Sequence, residues 1–153
     1  MPNIGKIAKL LEEIIKEGKL FHGSPLKGLK SGKDLPKGHR GYFLTDDEKV
    51  AGKFGNVYGA KVGEGKLFDG RVKENEDALF NAYSKVRSVN NPEWIRDAIR
   101  SGRYAFYEDP IVKMALEDMG YKGNWQVEDG ANTIRLFDRN MIKGLESPTR
   151  KLK

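Results

Sequence analysis

Strand-like and helix-like segments are grouped along this chain rather than alternating, and that grouping limits its fold more than any other feature. Short apolar runs punctuated by glycine occupy residues 19–68 and 124–142, and helical periodicity fills the stretch between them. A doubly wound α/β sheet requires strict alternation, so the grouping predicts an α+β fold with a split β core and flanking helices. The length, 153 residues, suits one domain covering 1–153.

The first residues read as a helix over Ile4–Glu17. Ile4, Ile7, Ala8, Leu11, Ile14 and Ile15 share one face, with Asn3 as its cap and Gly18 as its stop. The period then shortens. Lys19–His22 reads as a strand closed by Gly23-Ser24-Pro25, and Tyr42–Thr45 as a second, followed by a helix capped by Asp46 and running through Phe54. Val57–Val62 is a third strand, which Lys66–Phe68 continues past a turn at Gly63–Gly65. Helices follow over Glu74–Val86, Pro92–Arg100 (capped by Asn90 or Asn91) and Pro110–Met119 (capped by Asp109 and closed by Gly120). The end returns to strands, Asn124–Val127 and Thr133–Phe137, about a turn at Glu128-Asp129-Gly130. Met141-Ile142 forms an edge, and the tail 146–153 frays.

Composition removes most catalytic classes. The chain has no cysteine, which excludes thiolate zinc sites, iron–sulfur clusters and a Cys nucleophile. Two histidines, with no His-Glu-x-x-His pair and no acidic calcium loop, leave no metal site to be expected. Phosphate-loop and nucleophile-elbow patterns are absent, and Gly63-Glu64-Gly65 leads into a strand, not into the helix a Rossmann turn requires. No apolar run is long enough to span a bilayer and no leader with a cleavage site is present, so a cytoplasmic protein without a membrane partner is expected. Of the net charge of +6, five units fall between Gly18 and Gly41, where Lys19, Lys27, Lys30, Lys33, Lys37 and Arg40 outnumber one acid, Asp34. Such a loop is either a solvated surface or one that meets phosphates.

What remains is an ordered constellation: Phe21-His22-Gly23-Ser24-Pro25, then Gly41-Tyr42-Phe43-Leu44-Thr45-Asp46, then a short helix with Ala51 and Phe54. It resembles the ADP-ribosyltransferase fold, in which a first strand ends in His-Gly and a second reads Gly-x-Tyr/Phe-Phe-x-x-Asp. The closing runs Gly120-Tyr121-Lys122-Gly123, Ile134–Asp138 and Met141-Ile142-Lys143 resemble the tail of phage-encoded and mobile-element members. Among these the chain is similar to the small ADP-ribosylating anti-CRISPR proteins. The resemblance covers roughly residues 19–70 and 117–144. It leaves the N-terminal helix (1–18) and a helical insertion (71–119) unmatched.

The resemblance implies a transferase that takes NAD as co-substrate, cleaves the nicotinamide–ribose bond and moves ADP-ribose to a macromolecular acceptor, a host protein. The chemistry of the residues fits. Breaking that bond develops an oxocarbenium-like sugar and expels a neutral base. Gly23 can offer its backbone to the carboxamide, Phe43 or Tyr42 can stack on the cationic ring, and His22 can bond a ribose hydroxyl. Arg40 and the lysine loop can face the pyrophosphate. Ser24 and Thr45 are further donors to the cofactor or ordinary turn residues. The family's acid sits near the start of the late strand, where this chain has Thr133. The nearest carboxylates are Glu128, preferred as the catalytic acid, and Asp129. No metal is needed, because the leaving group is already a pyridinium. Two other functions fit the same charge: a transferase that uses NAD to modify nucleic acid, and a non-enzymatic basic inhibitor or nucleic-acid-binding module.

Overall fold

A computed structural model describes residues 4–37 and 41–147. Seven strands form one mixed sheet: β1 (Leu20–Ser24), β2 (Tyr42–Thr45), β3 (Asn56–Val62), β4 (Lys66–Phe68), β5 (Tyr121–Glu128), β6 (Ala131–Leu136) and β7 (Ile142–Glu146). Their order is β4-β5-β6-β2-β1-β3-β7. The helices are α1 (Lys9–Glu17), α2 (Glu48–Gly52), α3 (Lys73–Ser84), α4 (Pro92–Ser101), α5 (Tyr104–Tyr107) and α6 (Pro110–Asp118). The fold is α+β, as the grouping predicts. No helix among the described residues is long and apolar enough to cross a membrane.

Strand alternation sorts the side chains onto two faces. Tyr42, Leu44, Trp125, Ile134 and Leu136 join Leu11 and Ile14 of α1 in one core. Phe68, Leu79, Ile99, Tyr107 and Leu116 form a second core under the helices of the insertion. The residues between them on β2, β5 and β6 face the second side and are unusually polar: Thr45, Asn124, Gln126, Thr133 and Arg135 are all buried. The two halves of the sheet meet at a narrow seam. Strands β2 and β6 pair over four positions and β1 and β3 over five, yet β1 meets β2 at one pair, Phe21 opposite Thr45.

Several boundaries differ from the expectation, each for a local reason. Helix α1 begins at Lys9, not Ile4, because Gly5 takes a positive φ of 72° and Ala8 is extended. Ala8 donates its N–H to the buried Asp69 carboxylate at 2.7 Å, and Ile4 accepts from the Leu67 N–H, so this segment lies along β4. The expected cap Asn3 lies outside the described residues. Helix α2 is capped by Asp47, whose carboxylate accepts from the Lys49 N–H at 2.8 Å, while Asp46 accepts from Asn132 and ties β2 to the β6 hairpin. It ends at Gly52, short of Phe54.

Strand β4 does not continue β3. It lies at the opposite end of the sheet, parallel to β5. Leu67 and Phe68 are consecutive and both fully buried, one in each core, so they need a strand with both faces covered. The edge of β3 is occupied by β7 instead, and Glu146 is the last residue of that strand rather than the start of a loose tail. A parallel neighbour requires a long crossover, which the four helices of the insertion supply. The caps Asn91 and Asp109 and the left-handed stop at Gly102 set their limits. Helix α5 was not evident in the sequence.

Candidate active site

The seam between β1 and β2 opens into a cavity of about 250 Å³ on the polar face of the sheet. Strand β1 brings Phe21, His22 and Gly23, and β2 brings Phe43 and Thr45. Helix α2 and its end bring Val50, Ala51 and Phe54. The far wall is Thr133 of β6, Glu128 at the end of β5 and Glu108 just past α5. One side is therefore aromatic and backbone-rich and the other carries two carboxylates. No lysine or arginine among the described residues lines it.

Each wall residue has a structural cause. Gly23 passes directly under the last turn of α2, where a Cβ would overlap the Ala51 carbonyl oxygen and press the Phe54 side chain at 3.1 Å. Here, where the strands part, His22 Nδ1 bonds the Phe43 carbonyl oxygen at 3.0 Å. A carbonyl only accepts, so Nδ1 carries the proton. Burial holds the ring's pKa below the usual histidine value, with the Phe43 carbonyl pulling weakly the other way. The neutral ring thus keeps Nε2 as an acceptor, suited to a hydroxyl.

Glu128 is positioned by a ladder on its own strand. Asn124 Nδ2 donates to Gln126 Oε1 at 3.1 Å, and Gln126 Nε2 donates to Glu128 Oε1 at 3.0 Å. Residues 124, 126 and 128 share one face because strand side chains alternate. Asn124 and Gln126 are fully buried, so the carboxylate is held by groups that cannot swing away. Burial pushes the Glu128 carboxyl above the ordinary range; the Gln126 hydrogen bond opposes this, and the negative charges of Glu108 and Asp129 add to it.

A raised carboxyl in the folded state binds its proton more tightly than in the unfolded chain. It therefore stabilises the fold below the ordinary glutamate range, and this contribution is lost as pH rises through the raised value. At neutral pH Glu128 is a charge partly removed from water. Glu128→Gln should accordingly raise the melting temperature at pH 7 and lose that advantage near pH 4, as differential scanning calorimetry at the two pH values would show.

Of the residues expected from sequence, the structure brings together His22, Gly23, Phe43, Thr45 and Glu128. It separates others. Asp129 takes the left-handed position of the β5–β6 turn, with φ 49°, and pairs with Lys53 at 3.1 Å outside the cavity wall. Ser24 is buried and spends its hydroxyl on the Leu26 N–H at 3.1 Å, closing the turn after β1. Tyr42 points into the opposite core and donates its hydroxyl to the Pro36 carbonyl at 2.8 Å, so of the two neighbouring aromatics it is Phe43 that lines the cavity. Arg40 lies outside the described residues. Thr45 accepts from the Asp47 N–H at 3.3 Å and still faces the cavity. Glu108 was not anticipated, since it caps the end of a helix too short to show a period and precedes an Asp-Pro cap that accounts for the local acidity. Comparison with protein-family models, with curated proteins and with solved structures finds no match to this chain.

Proposed function

We propose that this protein is an NAD-dependent ADP-ribosyltransferase, resembling the phage-encoded and anti-CRISPR members of that fold, which transfers ADP-ribose to a host protein and releases nicotinamide. The observation that supports the reading best is convergence. His22, Gly23, Phe43 and Glu128 are spread over more than a hundred residues of sequence, and all four line one cavity. On this reading the pyridinium stacks on Phe43 beside Gly23, and a ribose hydroxyl donates to His22 Nε2. The Glu128 carboxylate faces C1′, where positive charge grows as the C–N bond lengthens. The electron pair leaves with nicotinamide, which departs neutral and needs no acid.

A cavity of about 250 Å³ is smaller than pockets that enclose a whole drug-sized ligand. It suits the nicotinamide ring and its ribose, with the remainder of NAD lying outside. Phe43→Ala should weaken NAD binding by about 1–2 kcal/mol through loss of the cation–π partner and its apolar surface. Titration calorimetry would measure the change, with circular dichroism unaltered. Equal affinity in the two proteins would remove Phe43 from the site.

Four exposed lysines favour a second reading. Lys27, Lys30, Lys33 and Lys37 all reach solvent, and none lines the cavity. They suit a nucleic-acid surface, either as the acceptor of an NAD-dependent transfer or as the target of a non-enzymatic basic inhibitor. That reading requires affinity that falls steeply with salt.

A further inference from the structure

We propose that Glu108 is the general base of the transfer: it takes the proton from the incoming nucleophile while Glu128 stabilises the ribosyl cation. The assignment rests on the NAD-cleaving reading and adds to it a residue from the helical insertion.

The position of Glu108 is a built one. The Val127 N–H of β5 donates to the Gly102 carbonyl at 2.7 Å, which pins the α4–α5 junction beside the end of the strand that carries Glu128. The buried Arg135 guanidinium donates from Nη1 to the Tyr107 carbonyl at 2.6 Å, and the Tyr107 hydroxyl donates to the Ile99 carbonyl at 2.8 Å. The backbone immediately before Glu108 is therefore held from both sides. Its neighbour Asp109 caps α6 and pairs with Arg87. The Glu108 carboxylate, half-buried in the cavity wall, has no hydrogen bond or ion pair among the described residues. Its charge interacts with Arg135 on one side and with Glu128 across the cavity on the other.

Two carboxylates thus share the acidic end of one cavity, one held by a glutamine and one uncommitted. Glycosyl transfer needs two such roles when the nucleophile is protic. Cleavage of C1′–N sends its electron pair to nicotinamide. A neutral nucleophile X–H then forms the X–C1′ bond and becomes cationic, and its proton passes to the Glu108 carboxylate and on to water. An anionic nucleophile has no proton to lose and bypasses the step.

The test uses NAD with water, then with added sodium azide, and follows nicotinamide and ADP-ribosyl azide by chromatography. Glu108→Gln should bind NAD normally, hydrolyse it roughly 10²-fold more slowly than wild type, and recover turnover with azide. Glu128→Gln should not recover, because azide does not replace the charge beside the cation. Hydrolysis by Glu108→Gln at the wild-type rate, or a loss that azide fails to restore in protein that still binds NAD, would overturn the role of Glu108 and leave the NAD reading standing. Wild-type protein that releases no nicotinamide with water, with azide or with added cell extract would overturn both.

Discussion

Replacing Glu128 by Gln should lower nicotinamide release from NAD by about 10²–10³-fold while NAD affinity stays nearly constant. Glutamine keeps the shape and can still meet Gln126, so what is removed is the negative charge. That charge matters little to a bound ground state and a great deal to a sugar that carries a growing positive charge. A loss confined to kcat is the signature of an interaction made in the transition state. Asp129→Asn should be nearly silent in the same assay, because Asp129 faces Lys53 rather than the cavity. Parallel loss of affinity and rate in Glu128→Gln would instead make Glu128 a binding residue.

Gly23→Ala should damage the fold itself. The added methyl meets main chain, the Ala51 carbonyl, and not the movable end of a side chain. Relief therefore requires shifting α2 off the sheet, at a cost of about 3 kcal/mol, the upper part of the range for overpacked sites. In a chain of this size that lowers Tm by roughly 10 °C. Gly52→Ala provides the contrast. It is the residue after Ala51 in the same helix, yet its Cβ would meet only Val57 Cγ2 at an ordinary 3.7 Å. It should be neutral or slightly stabilising, since alanine favours the helical state. Thermal melts of the two variants, read side by side, separate packing at Gly23 from a general intolerance of alanine in this region.

These two residues also show how far the sequence could be read. Glu128 was legible as a residue of the Gly-containing turn, whereas the structure makes it the last residue of β5. Its support was not: Asn124 and Gln126 look like ordinary strand residues until alternation and burial stack them beneath it. Gly23 was singled out as an opening for a ligand, whereas the tightest demand on it comes from α2, a contact made across the sheet. Helices α4 and α6 announced themselves through Asn91 and Asp109, since caps act within a few residues. The partner of β4 did not, because pairing with β5 joins segments separated by the whole insertion. Glu108 reaches the cavity through the same long-range docking and left no local trace.

On the proposed reading, the cavity at the β1–β2 seam breaks the nicotinamide–ribose bond of NAD. The most direct measurement is nicotinamide released from NAD by purified protein, with and without cell extract, for wild type and Glu128→Gln. Release by wild type should rise when extract supplies an acceptor, with ADP-ribose appearing on protein and with both signals lost in Glu128→Gln. NAD left intact by wild type in the presence of extract would contradict the reading.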